Sequence, residues 1–435
     1  MLGFRFDHIQ ERIMPPILGC IADDFTGATD LANMLVRGGL RTIQLLGVPE
    51  EDYSLTNIDA VIIALKSRTI QPSEAILQSL KSLKWLRKAG TQQFFFKYCS
   101  TFDSTDKGNI GPVTEALMAE LDVKFTIANP AFPETGRTVF KGHLFVGDSL
   151  LSDTHMNKHP LTPMTESNLV TILEKQTQGN IGLIQHNEVE AGPTALKNSF
   201  KKLTKSGFSI AITDSITDKH LHMLGEALAD FKLITGGSGI AIGLPENYRK
   251  SGLVNLSQNA SKLEPVKGPC LILSGSCSQA TLNQIAEFSR DHPSFKLNPI
   301  DIDLNPNAVK EAISWAQPRI KKGPVLIYAS ASSDEVKLAQ KTLGADKAGS
   351  LIENAMGSIA KTLVDDGVRR LVVAGGETAG AVVGALKIKS LQIGEQIDPG
   401  VPGTITIQEP KIALALKSGN FGTKDFFQKA LKIMP

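Results

Sequence analysis

Cysteine is scarce: the chain of 435 residues holds four, Cys20, Cys99, Cys270 and Cys277. None forms a C-x-x-C pair, and no histidine stands at zinc-finger spacing from them. A disulfide framework or a zinc site is therefore not expected, and a reducing compartment, the cytoplasm, fits. No apolar run approaches the ~18 residues that a membrane span needs. Excess charge is also missing, the balance being +2, which gives no electrostatic case for nucleic-acid or membrane partners. The nucleotide signatures G-x-x-x-x-G-K-[ST] and strand-linked G-x-G-x-x-G are absent, so neither a P-loop nor a standard dinucleotide fold is expected. Residues 1–16 carry Arg5 and Arg12 but no apolar core or small-residue cleavage site. They read as an extension ahead of the first strand.

What is present is a long alternation of short apolar runs and helical periodicities. The hydrophobic content of 42% is ordinary for a globular protein with full cores. The pattern predicts an α/β fold of two domains, each with a largely parallel sheet flanked by helices. Residues 245–269 lose periodicity and gather Asn, Ser, Lys, Pro and Gly. The expected organisation is therefore the extension 1–16, a first domain 17–245, a linker region 246–269 and a second domain 270–435.

The chain is organised around Ile17 to Gly39. A buried-strand run, Ile17–Ala22, meets Asp23 and Asp24. Ala28, Leu31, Ala32, Leu35 and Val36 then mark one face of a helix, which Gly38-Gly39 ends. Both carboxylates thus fall at the carboxyl end of a strand, where open α/β sheets bind ligands. Two solvated turn acids are the plainer alternative. Three further stretches carry polar groups to the same edge. Lys66-Ser67-Arg68 ends the run Ala60–Leu65. The loop Ser100–Asn109 offers Asp103, Ser104, Thr105 and Lys107 after the strand Gln93–Cys99. Residues 133–163 break the rhythm, hold Arg137, His143 and His159, and read as a loop or β-hairpin flap over the crevice. The histidines are more readily loop hydrogen-bonders than catalysts. Gly236-Gly-Ser-Gly239 is open to two readings, anion binding or tight packing.

In the second half three strand-to-helix turns are rich in Gly, Ser and Thr: Ser274–Ser278, Gly375–Thr378 and Lys417–Gly422. Three in one domain, converging at one sheet edge, argue for a nucleotide or polyphosphate held by backbone N–H groups and helix N-termini.

With these residues in view the chain resembles the four-carbon acid sugar kinase family from Ile17 to its end. The likeness rests on Ala22-Asp-Asp-Phe-Thr-Gly27, Phe96-Lys-Tyr-Cys-Ser-Thr-Phe-Asp-Ser-Thr105, Gly108-Asn-Ile-Gly111, Ser274-Gly-Ser-Cys-Ser278, Gly375-Gly-Glu-Thr378 and Ser418-Gly-Asn-Phe-Gly422. Gly142–Asp148 and His159–Met164 are similar to the branch acting on 3-oxo-tetronates. Two positions depart from the pattern: Ala379 stands where Ser is expected, and Gly403 where Trp is expected.

The resemblance implies two α/β domains, the first holding the sugar acid and the second ATP. It implies Mg²⁺-assisted phosphorylation of the C4 hydroxyl of a 3-oxo-tetronate, with D-threonate or D-erythronate as alternative acceptors. Asp23 or Asp24 would take the hydroxyl proton, the other binding a hydroxyl or Mg²⁺ through water. No dedicated protein metal site is expected. Lys66, Ser67, Arg68, Asp103, Thr105, Lys107 and Arg137 would bind the acid, one of the cations pairing with its carboxylate. Ser274, Ser276, Gly375, Gly376, Glu377, Thr378, Gly419 and Gly422 would hold ATP. The partners expected are these two small molecules, with a homodimer left open. An NAD(P)-dependent oxidoreductase would need the missing dinucleotide fingerprint. A non-catalytic sugar-acid binding protein would need neither the acidic pair nor the three turns.

Overall fold

A computed structural model describes residues 15–50, 53, 55–158 and 162–434. The expected extension up to residue 14, and His159 to Leu161, lie outside the described residues. Among the described residues eighteen strands form. In the first half they are β1 Leu18–Ala22, β2 Thr42–Leu46, β3 Ala60–Ala64, β4 Gln93–Lys97, β5 Thr126–Asn129, β6 Arg137–Phe140, β7 His143–Val146, β8 Ser149–Leu150, β9 Asn180–Ile184, β10 Phe208–Thr213 and β11 Leu233–Gly236. In the second they are β12 Cys270–Ser274, β13 Ser294–Lys296, β14 Val325–Tyr328, β15 Arg370–Ala374, β16 Ser390–Asp398, β17 Val401–Thr406 and β18 Ala413–Lys417.

Fifteen of them make one continuous sheet in the order β13-β14-β12-β15-β18-β17-β16-β2-β3-β1-β4-β11-β5-β10-β9. The fold is α/β, as the alternation predicts, but the two sheets are joined edge to edge. The join is antiparallel: Ser390, Leu391 and Gln392 of β16 pair with Leu45, Gln44 and Ile43 of β2. β17 pairs antiparallel with both β16 and β18, and the remaining ladders of this sheet are parallel. The β16–β17 hairpin thus belongs by sequence to the second half but buries Ile393 in the first half's core.

The central parallel strands, β1, β3, β4, β12 and β15 among them, are buried on both faces, which is why they read as apolar runs. β1 is buried along its whole length, between β3 and β4 in register Leu18↔Ala60 and Leu18↔Gln93. The helix Phe25–Arg37 starts at once after it. Asp24 is its N-cap and accepts from the Gly27 N–H, and its apolar stripe closes the core over β1–β4. This helix also reaches across the join: Asn33 Nδ2 donates to Gln396 Oε1 at 2.5 Å, and Gly380 of the helix Gly376–Ala385 packs against Phe25.

The irregular stretch after β5 holds a small antiparallel sheet, β6-β7-β8, so of the two forms expected there, loop or β-hairpin, the hairpin is present. Its turn is pinned by Asp214, whose carboxylate accepts the Lys141 and Gly142 N–H groups at 2.8 and 2.9 Å. His143 Nδ1 lies 2.9 Å from the Lys141 carbonyl, a loop hydrogen bond. No helix among the described residues is long and apolar enough to cross a membrane.

Candidate active site

The carboxyl ends of β1, β3 and β4 carry one charged cluster. Arg68, just past β3, is its hub. Its Nε and Nη2 donate to the two Asp23 oxygens at 2.8 Å each, Nη2 stands 3.0 Å from Asp24 Oδ1, and Nη1 lies 3.7 Å from Asp103. Three of the expected carboxylates and one expected cation are therefore in one place. Burial raises the Asp23 carboxyl, against the pull of Arg68. Burial would raise Asp24 as well, but Arg68, Lys97 and the Gly27 N–H outweigh it and hold that carboxyl below its usual value. Ser67 is buried and donates its N–H to the Asp23 carbonyl at 2.9 Å.

The other expected acid-binding residues are more dispersed. Lys66 turns away from the cluster and meets Glu377 of the second half at 2.6 Å. Thr105 lies half-buried and Lys107 exposed on their loop, where the Thr105 carbonyl accepts from Gln176. Arg137 comes in from β6, its guanidinium 5.9 Å from the Phe421 ring centre. Its Nη1 donates to the Thr135 carbonyl, and its buried Nε has no hydrogen-bond partner.

Two charged groups of this site were not singled out by the sequence. Lys97, at the end of β4, is a buried cation whose Nζ donates to the Tyr98 carbonyl at 2.8 Å. It stands so close to the first turn of the helix that a Cβ on Gly27 would lie 2.9 Å from it. Asp30 is buried one turn further along that helix, and Ser238 donates to its Oδ2 at 2.5 Å. The available signal was a cation ending the apolar run Phe94–Phe96, and a carboxylate facing inward by helical period.

The glycine loop after β11 is a packing device. The Gly237 N–H is used by the Asn129 carbonyl at 2.9 Å, and a Cβ on Gly236 would lie 2.3 Å from that same oxygen. Gly236→Ala is expected to destabilise the protein by about 1–3 kcal/mol through overpacking, read as a lower midpoint in chemical denaturation with an unchanged slope.

In the second half β12, β15 and β18 are neighbours, so their three following turns meet. A Cβ on Gly275 would strike Thr378 Oγ1 at 2.2 Å, one on Gly375 would come within 3.1 Å of the Ser276 nitrogen, and one on Gly419 would strike Ser276 Oγ at 2.4 Å. Ser274 is turned aside, hydrogen-bonded to Ser330 at 2.8 Å. Ser278 caps the helix Gln279–Phe288, and Gly376 opens the helix Gly376–Ala385; two helix N-termini thus flank the turns. The carbonyls of the third turn are tied inward. Lys417 Nζ donates to the Ser418 and Gly419 carbonyls at 3.0 and 2.9 Å and to Thr281 at 2.9 Å, and Gln284 Nε2 donates to the carbonyls of Phe421, Gly422 and Thr423. Burial without an acidic partner pushes Lys417 down to about 7.

Beside the turns opens a cavity of ≈ 300 Å³ lined by Leu297, Pro299, Ile300, Ala331, Val336 and Ile352, with Glu353 and Glu377 at its rim. Close-set glycines, two helix N-termini and an adjoining apolar cavity suit ATP, phosphates at the turns and base in the cavity. Among the described residues no group of three His, Cys, Asp or Glu gathers to hold a metal. Such a site would take Mg²⁺ as an ion borne mainly on phosphate oxygens, as is usual for it, and Glu377 and Glu353 are the carboxylates lining the cavity that would face it.

A charged cluster and a cradle of glycine-rich turns thus lie on one sheet, and comparison with known proteins gives the class to which they belong, a sugar-acid kinase. Residues 18–244 match the sugar-binding N-terminal domain family and residues 271–427 the nucleotide-binding C-terminal domain family. The 3-oxo-tetronate kinase of Burkholderia multivorans is 52% identical over 419 residues, covering 96% of this chain and 97% of that one. That of Pseudomonas savastanoi pv. phaseolicola is 53% identical with the same coverage. A crystal structure from Salmonella typhimurium LT2 superposes with a TM-score of 0.85 at 41% identity, over 95% of this chain and 98% of that one. The chain belongs to the four-carbon acid sugar kinase family.

Proposed function

We propose that the protein transfers the γ-phosphoryl group of ATP to the C4 hydroxyl of a 3-oxo-tetronate, in the cytoplasm and with Mg²⁺. The observation that carries this reading is the Lys66–Glu377 ion pair, which ties the strand end beside the acidic cluster to the phosphate cradle. The reading requires that a substrate seated at one lie within reach of the other. Similarity to the 3-oxo-tetronate kinases over nearly the whole chain supports the choice of acceptor.

Phosphoryl transfer is mainly positioning and charge neutralisation. Arg137, with an unused Nε, takes the substrate carboxylate together with Lys107. Ser67, Asp103 and Thr105 line the acid, and Arg68 fixes Asp23 and Asp24 so that the aspartates present defined acceptors to its hydroxyls. Ser276, Gly375, Gly376, Thr378, Gly419 and Gly422 hold the phosphates, and Ser274 backs the first turn. Bound Mg²⁺ supplies neutralisation of the charge developing on the phosphates. Domain 17–245 carries the acceptor and domain 270–435 the donor, and their apposition keeps water from the reacting group.

The test is an ADP-release assay with Mg-ATP against 3-oxo-tetronate, D-threonate and D-erythronate. The expected result is a high kcat/KM on the oxo acid alone. Preference for a hydroxy acid would overturn the substrate, and no ADP with any of the three would overturn the kinase reading.

A further inference from the structure

We propose that Asp30 is the catalytic base, accepting the proton of the attacking hydroxyl through its Oδ1. This rests on the kinase reading above and goes beyond it by choosing among the aspartates. Asp23 has both oxygens taken by Arg68. Asp24 has Oδ1 taken by the Gly27 N–H and Arg68, and Oδ2 by the Thr26 hydroxyl. Carboxylates whose lone pairs are committed to donors, charged ones above all, are poor proton acceptors.

Asp30 differs in both respects. Ser238 occupies Oδ2 at 2.5 Å, while Oδ1 is buried with no partner. A buried carboxylate oxygen left unpaired is destabilising, and the hydroxyl of a bound acceptor is the donor that completes it. Its place is also right. Asp30 belongs to the sugar-binding half, yet Oδ1 lies 3.0 Å from where a Gly400 Cβ would sit, and the same point is 3.0 Å from the Phe421 ring. Gly400 is in the turn between β16 and β17, and Phe421 lies within the third phosphate turn. The free oxygen therefore stands where the first half meets Gly400 and Phe421 of the second.

The charged groups facing Asp30 are Lys97 from β4, Arg137 from β6 and Asp24 from the start of its own helix. The β16–β17 turn presents Gly400 to it; Asp398 of that turn is engaged with Thr423 and Lys429. Burial, the largest influence, lifts the carboxyl to about 6, against Lys97 and Ser238. At neutral pH it is mostly ionised yet basic enough to accept a proton. In the step, the hydroxyl oxygen bonds to the γ-phosphorus as its proton passes to Asp30 Oδ1. The bond from that phosphorus to the bridging oxygen breaks, and its electron pair leaves on ADP.

The experiment is the pH dependence of kcat/KM for the full chain, Asp30→Asn and Ser238→Ala, with Mg-ATP and 3-oxo-tetronate, and ATP affinity by calorimetry. The wild type should lose activity below about pH 6. Asp30→Asn should lose about 10²–10⁴-fold in kcat, bind ATP within about twofold of wild type, and show no acid limb. Ser238→Ala removes a hydrogen bond that favours the ionised form, so its acid limb should move to higher pH. Asp30→Asn retaining kcat within about threefold, or Ser238→Ala leaving the limb unmoved, would overturn the assignment. If Asp30→Asn fails to fold, the Ser238→Ala limb decides. A wild type inactive on every acid would instead overturn the kinase reading, so the two failures are separable.

Discussion

Replacing Arg68 with methionine is expected to lower stability by about 3–5 kcal/mol and to abolish measurable turnover. The guanidinium is mostly buried and serves Asp23, Asp24 and Asp103 together. Removing one partner of a buried ion cluster leaves the other charges uncompensated, which is far more damaging than the worth of the pair itself. The pH dependence has a definite sign. Asp24 is held below its usual value partly by Arg68, so in the wild type its contribution is present above the unfolded carboxylate value near ~3.9 and lost as pH falls. Without Arg68 the carboxylates gain by protonation, and the deficit of the variant should narrow toward acid. Arg68→Lys keeps the charge but loses the two-pronged contact, and should fall between the two. Urea denaturation at neutral and acidic pH measures this; a deficit that is small, or that widens in acid, would contradict the account.

Lys417→Met is expected to do the opposite to stability. The wild-type lysine is buried with three neutral acceptors and no carboxylate, and its value falls to about 7. The unfolded chain, with lysine near ~10.4, binds that proton more tightly, so this group makes stability rise with pH between about 7 and 10. Methionine removes the slope and should raise stability at neutral pH. The loss appears in function. Lys417 holds the Ser418 and Gly419 carbonyls inward, which under the proposed function leaves the amides of that loop to serve the phosphates. Losing a charged hydrogen-bond donor worth about 1.5–3 kcal/mol should weaken ATP binding by ~10–100-fold. Calorimetry with ATP, beside a melting curve at neutral and alkaline pH, reads both effects.

The legible parts of this protein are those where one local rule decides. Ile17–Ala22 followed by Asp23, Asp24 and a Gly-ended helix could be read directly, because a strand buried on both faces and a capped helix leave periodic traces. The meeting of the turns after β12, β15 and β18 followed from their composition. The β16–β17 hairpin was not legible: Gln392, Glu395, Gln396 and two prolines obscure its alternation, and its partner β2 is remote in sequence. That pairing, and with it the single sheet, is a tertiary choice. Gly236 to Gly239 could serve an anion or a close approach, and only the position of the Asn129 carbonyl separates them. Lys97, Asp30 and Lys417 are lone polar residues next to apolar runs, and their roles depend on what another element brings to them.

The reaction itself is tested most directly by ³¹P and ¹H NMR of the product formed from ATP and 3-oxo-tetronate. The account predicts a phosphomonoester whose phosphorus couples to the C4 methylene protons, formed in step with ADP. Release of inorganic phosphate without an ester, or a phosphoryl group on the carboxylate or on C2, would contradict it.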